Sequence, residues 1–195
     1  MYFLSIYTNI NNAVFQNLFN LNNEDWNIVG NTNVSTTFMP FNLNGLMSNY
    51  ITGKDDLINV DYKNKDDRNL WFFSKQLSLY LSNSSILSFT MSSFSGDFSK
   101  LNNPNSSVAT FIKLCNNVTN DTIIFPIKNL INEYDGKIKT FVIPFVSSLW
   151  LNGVNNMPVS FDDFKLILQN ITQIDILGDW TRGNEIIGLD NVKIY

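Results

Sequence analysis

The alternation of apolar and hydroxylic side chains is what most constrains this chain. Leu87, Phe89 and Met91 alternate with Ser88, Thr90 and Ser92. Successive side chains leave a strand on opposite sides, so this pattern predicts a strand with one buried face. Val108, Thr110, Ile112 and Leu114 interleave with Ala109, Phe111, Lys113 and Cys115 in the same way. Residues 122–127 and 139–146 are β-branched and aromatic runs. Pro126 and Pro144 within them predict edge strands or bulges, because proline cannot donate to a ladder. Residues 173–177 and 191–195 predict two more strands. Asn-rich clusters at 20–27 and 102–105 punctuate the runs, and Asn readily turns a chain. Many short strands with turn signals between them predict an all-β, two-sheet antiparallel sandwich.

One segment breaks the period of two. Ser160-Phe161-Asp162-Asp163 reads as a capping box, with Ser160 as N-cap and Asp163 in the place usually held by Glu or Gln. Phe161, Phe164, Leu168 and Ile171 then recur at helical spacing. This predicts a short amphipathic helix near residues 161–170, its apolar stripe turned inward as a lid on one end of the sandwich.

Composition limits what such a sandwich can do. The chain is 44% hydrophobic, 14% aromatic and 15% charged, enough for one sizeable core. No internal repeat or Gly/Ser/Pro linker divides it, so residues 1–195 are expected to form a single domain. The net charge is −4, and even the stretch from Lys63 to Arg68 contains Asp66 and Asp67. Phosphate neutralisation needs a basic face, so nucleic acid and anionic membranes are not expected partners. Cys115 is the lone cysteine, which leaves no internal disulfide. Met1 to Tyr7 is apolar but short and lacks a basic segment before it, so no signal peptide is expected. No apolar stretch approaches the ~20 residues of a membrane helix.

Catalytic constellations are missing as well. The chain has no histidine. That removes Ser-His-Asp and Cys-His nucleophile systems and histidine-based zinc sites. No phosphate-binding loop, dinucleotide fingerprint or nucleophile elbow occurs. The adjacent pairs Asp55-Asp56, Asp66-Asp67 and Asp162-Asp163 do not match the spaced carboxyls of a glycosidase, since neighbours on a strand point to opposite faces. The chain therefore reads as non-enzymatic. Asn-x-Ser/Thr acceptors at Asn33, Asn83, Asn105, Asn117, Asn120 and Asn170 are no more than this abundance of Asn, Ser and Thr produces by chance.

The last third carries the most specific pattern. The helical segment ends in Asn170-Ile171-Thr172, the next strand ends in Gly178, and Gly188-Leu189-Asp190-Asn191-Val192 follows a loop. This arrangement resembles the laminin IV type A domain, also called laminin B. Asp25-Trp26-Asn27-Ile28-Val29-Gly30 resembles that family's opening Gly-Trp segment. Asn49-Tyr50-Ile51 and Leu70-Trp71-Phe72-Phe73 resemble its Gly-Tyr-Ile and Trp-Tyr-Phe stretches, and Trp150 matches a Trp ahead of the helix. The resemblance runs from about Phe19 to Tyr195. The Ala-Pro and Phe-Leu-Gly motifs expected after the aromatic stretch are replaced by Ser74-Lys75. The resemblance implies a jelly roll akin to galactose-binding-like and carbohydrate-binding modules, working by binding at an extracellular, cell or particle surface.

Within that frame several residues are candidates. Asp190 opens the last strand, where such sandwiches often hold a structural calcium. Asp55, Asp56 and Asn20 are the oxygen donors that would join it. The alternative is that Asp190 caps a turn. Trp180, with Asp179 and Arg182 in one loop, and Trp71 are candidates for glycan or protein contact. Their alternatives are a ring folded onto the sandwich end and a core ring respectively. The expected function is recognition of a glycan or protein. The rival is a structural subunit of a coat, fibre or filament that self-assembles by sandwich packing.

Overall fold

The computed structural model describes residues 13–19, 23–30, 34–43, 46–55, 70–97, 110–126, 135–181 and 185–195; for 34–43, 46–49, 54 and 55 it describes the backbone alone. The front sheet contains β3 (Val34–Leu43), β4 (Leu46–Asp55), β12 (Glu185–Ile194), β6 (Ile86–Ser95) and β9 (Lys139–Pro144), in that order, and β1 (Phe15–Asn17) pairs with the end of β12. The back sheet runs β10 (Leu151–Asn152), β8 (Asp121–Pro126), β7 (Thr110–Asn116), β11 (Ile171–Leu177), β5 (Trp71–Leu79), β2 (Asn27–Gly30). Every pair is antiparallel. The all-β sandwich read from the alternation is the fold observed.

The core lies between the sheets. Leu87, Phe89 and Met91 of β6 are fully buried, whereas Ser88 and Thr90 on the other face are part-exposed. Pro144 ends β9, which is an edge strand as predicted. Pro126 ends β8, opposite Thr110, where the β7–β8 register shifts. That bulge explains why Phe111, on the opposite parity from Ile112 and Leu114, also reaches the core. Phe89, Phe111, Phe141 and Trp180 form one aromatic cluster with ring centroids 5.2 to 6.2 Å apart. Each ring removed from water contributes on the order of 2–3 kcal/mol.

Two glycines make room for the largest core ring. A Cβ on Gly178 would lie 1.9 Å from Cζ3 of Trp71, and one on Gly53 would lie 2.4 Å from the same atom. The glycine that closes β11 is thus set by the indole of β5.

Ser160 caps the helix as expected, and Asp163 answers through the Ser160 hydroxyl. Ser160 Oγ accepts from Asp163 N at 3.1 Å and donates to Asp163 Oδ2 at 2.7 Å. It opens α1 (Phe161–Leu168), which packs against β7, β8 and the 3-10 turn at Ser147–Leu149. Phe164, Leu168 and Ile171 are fully buried, and Phe164 meets Trp150 at 6.1 Å. One expectation fails: Phe161 is 55% exposed, and Ile167 takes its place on the buried stripe. Side chains on a helix lean toward its N-terminus, so a first-turn residue projects past the surface the helix covers.

Candidate functional site

The front sheet's outer face is where polar and aromatic groups gather. Parity on β12 follows from its buried residues: Ile187 and Leu189 face the core, so Gly188 and Asp190 face out. The register sets Thr52 beside Gly188 on one side and Ser92 on the other, and Thr90 beside Asp190. Tyr50 of β4 lies on the same face. Its ring meets Phe94 of β6 edge-on at 5.5 Å. The two rings close over β12 because residue 188 has no side chain: a Cβ there would come within 2.5 Å of Phe94 Cε2 and 2.8 Å of Tyr50 Cδ1. The glycine of the Gly-Leu-Asp-Asn-Val motif therefore has a steric cause.

Asp190 is placed by a bulge. Between Asp190 and Lys193, β12 carries one more residue than β6, and Asn191 adopts a left-handed φ of 57°. Asp190 Oδ1 accepts from Asn191 N at 2.6 Å. Burial, and then the Asp190 carboxylate beside it, push the Tyr50 hydroxyl above the usual phenol range. Tyr50 thus remains a protonated donor next to a carboxylate acceptor. Farther across the face, the hydroxyls of Thr90 and Thr140 lie 3.0 Å apart. The floor is buried, with Tyr50 at 3% and Asp190 at 5% exposure, while Phe94 and Thr90 are part-exposed.

The other expected site residues scatter. Register places Asp55 opposite Glu185, five residues along the ladder from Asp190. At about 3.3 Å per residue that is roughly 17 Å, far beyond the 2.3–2.6 Å reach of calcium ligands. Asp190 and Asp55 therefore do not fit one ion. Asp56 and Asn20 lie outside the described residues. Among the described residues, no group of three or more Cys, Asp or Glu is arranged to hold a metal.

The Trp180 ring is also internal. Its ring is 2% exposed, packs on Phe111 and Phe141, and donates through Nε1 to Leu177 O at 3.2 Å. It is the ring folded onto the sandwich, not an exposed contact. Arg182 lies outside the described residues. Asp179 is buried beside Glu185, whose carboxylate accepts from Trp180 N, Thr181 N and Thr181 Oγ1 at 2.8 to 3.2 Å. Burial foremost, then the charge of Asp179, raises the Glu185 carboxyl well above the usual range. This acid pair locks the loop and gave no signal in the sequence, where Glu185 reads as an ordinary polar residue. Trp71 is core and fully buried. Its neighbour Phe72 faces outward on the back sheet, with Lys113 Nζ 5.9 Å from the ring centroid.

No protein family matches the sequence, and no curated protein does. Solved structures do match. The L4b domain of human laminin alpha-2 superposes with a TM-score of 0.51 at 11% identity, over 63% of this chain and 68% of that one. The family 11 carbohydrate-binding module of the cellulosomal cellulase Lic26A-Cel5E from Clostridium thermocellum gives a TM-score of 0.50 at 14% identity, over 94% and 95%. A solution structure of CtCBM11 gives 0.50 at 14%, over 92% and 94%. The chain shares with these structures the jelly-roll β-sandwich fold to which its strand alternation and its C-terminal motif point.

Proposed function

We propose that the chain is a non-catalytic binding module at a cell or particle surface, and that the front sheet's outer face recognises a glycan. The observation that carries this reading is the Tyr50–Phe94 ring pair, closed over Gly188 and set beside the Asp190 carboxylate and the Thr90–Thr140 hydroxyls. Saccharides present apolar C–H faces and hydroxyls that both donate and accept. A part-exposed aromatic ring beside a carboxylate and hydroxyls offers a counterpart to each. Phe94 and Thr90 supply the reachable rim, and Tyr50 and Asp190 hold the floor. Neighbouring folds that are named as carbohydrate-binding modules support the reading. No helix of the described residues is long and apolar enough to cross a membrane.

The test is a glycan array on the whole chain, followed by calorimetry with the strongest hit. Phe94→Ala and Asp190→Asn should each weaken binding at least about fivefold, the effect of a contact worth roughly 1 kcal/mol. Retained affinity in both variants would move the ligand to another surface. Sedimentation velocity separates the rival: a module stays monomeric, whereas a coat or filament subunit assembles.

A further inference from the structure

A second concave surface lies at the helical end of the sandwich, away from the front sheet. A groove of about 300 Å³ runs between α1 and the turn that follows β10. Its aliphatic lining comes from both sides: Met157, Pro158 and Val159 from the turn, and Leu166 and Ile167 from α1. Met157 and Leu166 are 61% and 53% exposed and so lie open at the groove's mouth. Asp121 and Asp163 add two carboxylates, and the wall formed by the turn also carries Asn152 and Asn155.

This wall is held rigidly. Asn152 Oδ1 accepts from Val154 N and Asn155 N, and Asn155 Oδ1 accepts from Met157 N. Asn152 N donates to Met157 O, and Gly153 N to Thr122 O, both at 2.8 Å. Two carboxylates line the groove, and among the described residues no Lys or Arg does. Asp163 accepts at one oxygen from Ser160. Asp121 is paired through its backbone with Asn116, and its carboxylate has no side-chain partner among the described residues.

We propose that this groove receives a lysine or arginine side chain from a protein partner, flanked by aliphatic residues of that partner. The long stem of such a side chain packs along Leu166 and Met157, and its charged head reaches Asp121 and Asp163. Charge complementarity selects the cation and disfavours an acidic segment. A sugar fits less well, because no aromatic ring lines the groove for it to stack on.

The probe is the pentapeptide acetyl-Gly-Leu-Lys-Leu-Gly-amide, titrated into the 15N-labelled whole chain, alongside copies with Glu or norleucine in place of Lys. The Lys peptide should shift amides at 152–157, 159 and 163–167 and bind more weakly as salt rises. The Glu peptide should leave these amides unmoved, and the norleucine peptide should bind several-fold more weakly than the Lys peptide. Asp121→Asn should weaken the Lys peptide about threefold to fivefold, as one partly exposed ion pair does. Leu166→Ser, on the exposed wall, should weaken it independently, with both variants melting like the parent. Equal binding of the norleucine peptide, shifts that miss the groove, or unchanged affinity in both variants would overturn the proposal. So would a dimer that Asp121→Asn abolishes, since the occupant would then be a second copy. The front-face variants Phe94→Ala and Asp190→Asn should not affect this titration, which keeps the two sites separable.

Discussion

Removing the Phe164 ring tests how the helix is held. The side chain is fully buried, set against Trp150 at 6.1 Å, within the cluster that also holds Ile167, Leu168 and Ile171. A helix of eight residues is marginal in water by itself, so this packing is what keeps it formed. Losing a buried phenyl group forfeits its transfer free energy and leaves a cavity, a cost of about 3–5 kcal/mol. With a urea dependence of about 2–3 kcal/mol/M, near the top of the range for small proteins, the midpoint of Phe164→Ala should fall by about 1.5 M. Phe161→Ala on the same helix removes a ring that is already half in solvent and should cost less than about 1 kcal/mol. Lys165→Ala, on the exposed side, should stay within about 0.5 kcal/mol. Urea melts of the three variants, followed by tryptophan fluorescence, decide it. Equal midpoints for Phe164→Ala and Phe161→Ala would refute the inward assignment of Phe164.

Three further outcomes follow from the packing and the buried charges. Gly178→Ala drives a Cβ to 1.9 Å from Trp71 and should destabilise by about 3 kcal/mol, the upper end of overpacking costs; the double variant with Trp71→Leu should fall short of the two single costs added. Glu185 is held above its ordinary carboxyl range, so the folded state binds its proton more readily than the unfolded state; its contribution is fullest below the unfolded value of about 4.3 and is lost as pH rises toward the folded value. Urea midpoints from about pH 5 to 8 should therefore decline in the parent and decline less in Glu185→Gln. Chelator should leave the melting temperature unchanged, because Asp190 and Asp55 stand too far apart on the ladder to share an ion; a drop that calcium reverses would show that Asp190 draws its ligands from elsewhere.

What the sequence disclosed was governed by local chemistry. Alternation at Leu87–Ser92 marked β6, and Ser160 with Asp163 marked the start of α1. Both signals lie within a few residues of the structure they specify. The strands β3 and β4 were missed, although Asn44-Gly45 between two apolar runs is a hairpin signal and Leu43 pairs with Leu46. The site depended on contacts that no local window contains. Tyr50 and Phe94 are far apart in the chain and meet only because Gly188, more distant still, passes beneath them. Trp180 reads two ways in the sequence, as a loop ring open to a ligand or as a ring folded onto the sandwich end, because its neighbours in the loop are polar. Its partners Phe111 and Phe141 come from other strands and draw it inward.

The bulge at Asn191 has a consequence for how chains of this shape are compared. Leu189, Val192 and Ile194 all reach the core, and they do so because Asn191 is an extra residue that the interior never registers. Removing it would restore strict alternation, with Leu189, Val192 and Ile194 still inside and Asp190 and Lys193 still outside. The last strand can therefore differ in length by one residue between two chains with the same interior. An alignment that counts positions through this strand slips out of phase from Asn191 onward and pairs core residues with surface ones. Kinship between such sandwiches is better sought by opening a gap after the aspartate than by scoring the segment as a continuous block.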